Sequence, residues 1–338
     1  MGGNALKKAK IERKSKYSYE NLKNNVIGIL EKYLTCKNTI ELPGKEDFGD
    51  LDVIYINDSS IQIKQLIEEL FKPSEIVING DVISFDYENF QIDLIKCNDI
   101  ESYKMYDFYL SYGDLGSIIG RISNYYGLKF GHGGLWLNLL ENTINPSASI
   151  NFQNSITKIE LTKDPKKICE FLDFNYSDWE KGFESKKEII EFIIKSKYFQ
   201  REIFYHLNYD HRDRAKLRPF YKEFLDYIKI DFELIQKASL TKSEIGINYQ
   251  KEAIAYFSKE KELEEIIQNI KKSKERKEKF NGKHLIEFGI EPKSINKIME
   301  TFKLYIEKKF NLKFEEWIDK NTQEEIKNIF LTHCHITN

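Results

Sequence analysis

The chain has 338 residues, of which 41% are apolar and 14% aromatic. That is enough to build a real core, in one large domain or two small ones, and it excludes a disordered or low-complexity chain. The 52 Lys and Arg nearly cancel the 54 Asp and Glu, for a net charge of −2. A nucleic-acid partner would therefore have to be held by a local basic face, because global charge offers no pull. No run approaches the ~18–20 uncharged apolar residues of a membrane span, so no membrane partner is expected. Four scattered cysteines (Cys36, Cys97, Cys169, Cys334) without a CxxC pair read as a reduced, intracellular protein lacking a disulfide frame or zinc ribbon. The expected compartment is the cytoplasm, with the nucleus left open. No secretory signal is seen, and Leu6 stands where a myristoylation motif requires Ser or Thr.

In chain order, residues 1–17 are basic and polar, and 18–35 read as an amphipathic helix through Leu22, Val26, Ile29 and Leu30. Asp50–Ile56 alternates and is β-branched, as a strand should be, while Ile61–Phe71 has helical spacing. Glu75–Phe85 reads as two strands around Asn79-Gly80, the strongest short hairpin signal, and Phe90–Lys96 as a further strand. Helical pattern returns from 99 to 126, broken at Tyr112-Gly113-Asp114, and 127–162 mixes short strands with turns at Gly131, Gly133, Gly134 and Pro146. Beyond 164 the signal is nearly all helix. Asp164-Pro165 makes a good helix start and Thr241-x-x-Glu244 a candidate capping box. The expected fold is an α/β (α+β) core at 18–162, with a small mixed or antiparallel sheet, followed by a mostly helical domain at 163–338.

The sharpest chemistry lies in Phe48-Gly49-Asp50-Leu51-Asp52-Val53 together with Gln91-Ile92-Asp93-Leu94. Positions two apart on a strand share a face, so Asp50 and Asp52 point the same way. Asp93 sits in the middle of another apolar strand. If those strands are neighbours, three carboxylates meet in one patch, where apolar surroundings make them costly unless a cation neutralises them. Oxygen donors of this kind suit Mg²⁺, and two such ions about 4 Å apart would activate a hydroxyl and stabilise a departing pyrophosphate. A bare DxD is common by chance; the second strand with its central Asp is what makes this pair of segments notable.

Gly49-Asp50-Leu51-Asp52-Val53 followed by Ile92-Asp93-Leu94 resembles the metal-binding signature of the DNA polymerase beta-like nucleotidyltransferase superfamily. The resemblance implies catalytic roles for all three aspartates. Asp50 and Asp52 would hold two Mg²⁺ ions (Mn²⁺ as a substitute), and Asp93 would complete the catalytic-metal site and draw the proton from the attacking hydroxyl. A second stretch, Tyr109–Ile122 with Tyr126–Leu135, is similar to the segment after the palm in family X polymerases. It implies that Tyr112, Gly113 and Asp114 line a sugar and base pocket and that Arg121 faces the base or template side. The likeness covers roughly 40–137, about a third of the chain.

One departure stands out. The superfamily's Gly-Ser pair before the DxD is replaced by the loop Pro43-Gly44-Lys45-Glu46-Asp47-Phe48-Gly49. Gly44, Lys45 and Gly49 are its nucleotide-binding candidates, Lys45 supplying charge for the lost hydroxyl; Lys45 as a plain solvated lysine is an equal alternative. Met1-Gly2-Gly3-Asn4 also resembles a phosphate-gripping Gly pair but stands over forty residues from Asp50.

Further on, Arg212, Arg214, Lys216 and Arg218 fall at helical spacing and make a basic face for a nucleic-acid backbone or a triphosphate, or equally a solvated helix. Lys271–Lys279 interleaves acids and reads as solvated helix. Asn281–Met299 weakly resembles a helix pair of CCA-adding tRNA nucleotidyltransferases, with Lys283 and Lys293 near its turn; a packing hairpin is the commoner explanation. His333-Cys334-His335 lacks a fourth ligand, and His132, between glycines, reads equally as a substrate contact or a turn residue.

The expected function is therefore metal-dependent transfer of a nucleoside monophosphate from a nucleoside triphosphate, ATP among them, to a hydroxyl. The acceptor would be a nucleic-acid 3′ end, RNA slightly ahead of DNA, held by the helical domain. Two rivals remain: the same chemistry on a protein or small molecule, and a non-catalytic nucleic-acid-binding module.

Overall fold

A computed structural model describes residues 5–56, 61–140, 155–207, 209–230, 236–237 and 245–334. The first strand, β1 (Lys14–Ser15), leads into α1 (Lys16–Leu30). β2 (Thr35–Asn38), β3 (Asp47–Phe48) and β4 (Asp50–Ile56) follow, then α2 (Ile63–Phe71). The expected hairpin is β5 (Ile76–Asn79) and β6 (Val82–Tyr87), and β7 (Phe90–Cys97) completes a five-stranded sheet in the order β2-β4-β7-β6-β5. Gly80 turns the hairpin at φ +58°, a left-handed conformation that glycine adopts without strain. β4 and β7 run parallel and every other pair is antiparallel. A parallel pair needs a crossover, and α2 with the β5–β6 hairpin supplies it.

The sheet buries both faces. On one, Tyr19, Leu22, Val26 and Leu30 of α1, spaced three and four apart, pack with α2 over Leu51, Val53 and Tyr55 of β4 and Ile92 and Leu94 of β7. On the other, Tyr103, Tyr106 and Leu110 of α3 (Ile100–Leu110) cover Ile54, Ile56, Ile95 and Cys97. Asp99 caps α3 by accepting from the Ser102 N–H at 2.7 Å. The break expected at Tyr112-Gly113 is there: both residues take positive φ, +61° and +66°, and α4 (Leu115–Tyr125) starts anew. A second sheet, antiparallel in the order β10-β9-β8, comprises β8 (Leu128–Gly131), β9 (Gly134–Leu140) and β10 (Ser155–Thr162).

Short helices follow, beginning with Pro165–Phe171, whose cap is the expected Asp164. The chain divides into a compact unit ending at Lys259 and another starting at Glu260, so the division falls well beyond the boundary expected near 163. The reason is that the helices after 163 supply the partners of α4 and its neighbours. Arg121 donates to the Ile203 carbonyl (2.7 Å), the Tyr126 hydroxyl to the Tyr198 carbonyl (3.0 Å), and Arg214 pairs with Asp114 (2.9 Å). The unit from Glu260 is all helix around Phe280, Leu285, Phe302, Trp317 and Phe330. Within it, helices Gly282–Glu287 and Ile295–Phe310 form the pair expected around Gly289, with a capping box between Asn281 and His284. Thr241, Glu244, Pro146, His335 and the Met1–Asn4 stretch lie outside the described residues.

Candidate metal centre

The parallel register of β4 and β7 sets Asp52 directly opposite Asp93 and Asp50 opposite Gln91. Alternation puts Asp50, Asp52, Ile54 and Ile56 on one face of β4, and Gln91, Asp93, Ile95 and Cys97 on the same face of β7. The far half of that face lies under α3, and the near half presents the acids. All three aspartates are half-buried, and one carboxylate oxygen from each lies within 4.8 Å of the others. Among the described residues this is the one such group of three His, Cys, Asp or Glu side chains.

Burial, followed by the charges of Asp50, Asp93 and Glu41, pushes the Asp52 carboxyl up to about 8, against a downward pull from Lys45. Asp93 is also raised, by burial first, although hydrogen bonds from Ser84 and Gln91 oppose it. The Gln91 amide donates to both Asp93 oxygens, at 3.0 and 2.9 Å. Burial and mutual repulsion disfavour the charged forms of Asp52 and Asp93, and a cation among them would offset that cost. An all-oxygen set suits a hard divalent ion such as Mg²⁺, with coordination positions left over for substrate.

A fourth acid borders the centre. Glu41 accepts from the Tyr19 hydroxyl and from Lys45 Nζ, the latter at 2.6 Å. Lys45 also lies 4.5 Å above the Phe48 ring, which stacks on Tyr19 at 3.9 Å. Lys45 is thus an anchored lysine beside Asp52, neither free in solvent nor without a local counter-ion. Gly44 turns the same loop at φ +72° with open space where a side chain would be. Gly49 is the bend joining β3 to β4. A groove of about 550 Å³ beside Glu41 is lined by Ile40, Pro43, Tyr112, Lys181 and Phe183 among others.

The remaining candidates are placed differently. Tyr112 is buried against Trp179 and Phe183, and its N–H donates to the Ile40 carbonyl at 2.7 Å, so it forms the groove's floor. Gly113 is a turn residue beside Leu42. Asp114 is buried in its ion pair with Arg214, and Arg121 is buried beneath Ile203. Asp114 is thus a packed, ion-paired residue, while Arg121, though buried, also borders a cavity. A cavity of about 210 Å³ is lined by Arg121, Arg214 and His211, whose imidazole is pushed down to about 3 by burial and then by those two arginines.

The expected basic face is divided. Helix Tyr209–Leu217 carries Arg212, Arg214 and Lys216; Arg218, just past its end, still gives its N–H to the Arg214 carbonyl at 2.8 Å and is the N-cap residue of the next helix, which Pro219 opens. Lys216 is exposed, Arg212 half-buried. His333 stacks on Tyr305 (4.1 Å) and His132 packs against Tyr106 (4.7 Å).

Sequence reasoning missed Gln91, Ser84, Glu41 and Tyr19. Gln91 had a local signal, since it stands two residues before Asp93 on the same face; the others reach the centre only through tertiary pairing. In comparisons with known proteins, the chain matches no protein-family model and no curated relative.

Proposed function

We propose that this chain is a metal-dependent nucleotidyltransferase, transferring a nucleoside monophosphate from a nucleoside triphosphate to a hydroxyl and releasing pyrophosphate. The observation carrying this reading is the register that sets Asp52 against Asp93, with Asp50 one pair away on the same face. Two bound Mg²⁺ ions would supply Lewis-acid charge to the phosphates and to the attacking oxygen. Asp50, Asp52 and Asp93 would hold the ions. Asp93, oriented by Gln91 and Ser84, accepts the proton as the hydroxyl oxygen bonds to the α-phosphorus and the bond to the pyrophosphate oxygen breaks. Lys45, fixed by Glu41 and Phe48, is positioned to meet the triphosphate tail, and the groove beside Glu41 is of a size for the nucleoside.

The acceptor reading splits. A nucleic-acid 3′ end remains the first expectation, on the resemblance. The pairing of Arg214 with Asp114 removes one cation from the basic face and favours, as a second reading, a protein or small-molecule hydroxyl. One assay tests both: purified protein with Mg²⁺, each labelled nucleotide in turn and a pool of RNA and DNA 3′ ends, beside Asp52→Ala. Label entering nucleic acid, and lost by at least about a thousandfold in the variant, supports the first reading. Label moving to protein supports the second. Absence of any label, with metal-independent binding of the pool, would leave a binding module.

A further inference from the structure

The N-terminal segment reaches the candidate metal centre through a single side chain. Gln91 is only 2% exposed. Its carbonyl oxygen accepts the backbone N–H groups of Ala5 (3.0 Å) and Leu6 (3.4 Å), and its amide nitrogen donates to both oxygens of Asp93. The segment is tied down on either side of that contact. Leu6 is buried, and the N–H groups of Lys7, Lys8 and Ala9 all point at one Glu75 oxygen, at 2.9, 2.7 and 2.9 Å. Further along, the Glu12 N–H donates to the Asn89 carbonyl at 2.8 Å.

These bonds fix the amide's sense. A flipped Gln91 would aim its carbonyl at a carboxylate and its NH₂ at two N–H donors, losing four hydrogen bonds and gaining repulsion. Backbone donors on a segment far away in sequence thus dictate that Asp93 faces a donor. Each Asp93 oxygen retains lone-pair capacity for an ion, and the carboxylate is held in one orientation before the ion arrives.

We propose that residues 5–9 act as a strap that orients Asp93 through Gln91, making Gln91 a positioning residue of the metal centre. The proposal rests on reading the three aspartates as that centre. Gln91 would touch neither substrate nor ion; its effect is on how tightly Asp93 takes an ion.

The test is Mn²⁺ titration of the full chain, followed by the loss of free-ion electron paramagnetic resonance signal, with thermal unfolding measured alongside. Gln91→Met keeps length and removes every polar contact; it should weaken Mn²⁺ binding by about tenfold or more, the usual scale for groups that orient a ligand. Ala5→Pro removes one N–H from an exposed position and leaves Gln91 in place; a smaller loss in the same direction is expected at an unchanged unfolding temperature. In an Asp93→Asn background, Gln91→Met should cost nothing further, because its effect runs through Asp93. Native Mn²⁺ affinity in a folded Ala5→Pro protein, or an undiminished Gln91→Met effect without Asp93, would overturn the strap. Asp52→Ala separates the two claims: if it binds Mn²⁺ as the native chain does, the centre itself is wrong, whereas failure of the strap alone leaves the centre standing.

Discussion

Two sets of buried or half-buried carboxylates in the first unit are handled in opposite ways. Asp107 on α3 and Asp114 at the start of α4 are the more buried, and each meets a cation of the chain: Lys37 at 2.6 Å and Arg214 at 2.9 Å. Asp52 and Asp93 face each other across the β4–β7 register, and Lys45, whose charge pulls the Asp52 carboxyl down, is itself held by Glu41. The chain supplies a cation within salt-bridge distance to Asp107, from strand β2, and to Asp114, from helix Tyr209–Leu217, whereas Asp52 and Asp93 stand opposite each other across β4 and β7. The contrast continues along a single sheet face, where Ile54 and Ile95 follow Asp52 and Asp93 by two residues and vanish under α3. A shift of one pair of residues separates ordinary core from a patch of acids that could hold a cation.

The largest effect expected from this contrast is on stability against pH. The folded Asp52 carboxyl titrates near 8, while an unfolded aspartate titrates near 3.8. Between those values the folded chain keeps a proton that the unfolded chain has released, so metal-free stability should fall as pH rises from about 4 to about 8 and level off beyond. Asp52→Asn should flatten the slope, and so should saturating Mg²⁺; thermal unfolding across that range, with and without the ion, checks both. A slope unchanged by Asp52→Asn would break the comparison.

Next in size is Arg214→Ala, which strands Asp114 and should cost about 2–4 kcal/mol in chemical denaturation while leaving Mn²⁺ affinity unchanged. An equal loss of metal affinity would mean that the two sets of acids are not independent.

The smallest effect concerns Lys45. Lys45→Met should raise the KM for nucleotide by about tenfold, the scale of one charge-assisted hydrogen bond, with kcat nearly untouched, as steady-state kinetics would show. A drop in kcat alone would assign the lysine to the transition state instead.

Much of this organisation was legible locally. Alternation in Asp50–Ile56, the Asn79-Gly80 turn and the Asp164-Pro165 helix start each encode their element within a few residues, and the structure has all three. The convergence of the aspartates followed from period two once the strands were taken as neighbours. What stayed hidden depends on distant pairing. Nothing near Asp114 announces Arg214, a hundred residues away, and nothing near Gln91 announces Ala5. The unit boundary depends on distant pairing too: helices after 163 look separate in sequence but hold the partners of Arg121 and Tyr126.

If the acidic half of the β4–β7 face is a cation site, the protein takes up Mn²⁺ there. Calorimetric titration of Mn²⁺ into the native protein and into Asp52→Ala, with a non-hydrolysable nucleoside triphosphate present, tests it most directly. The account predicts tight binding of two ions by the native chain and loss of that binding in the variant. Equal, weak uptake by both would contradict it.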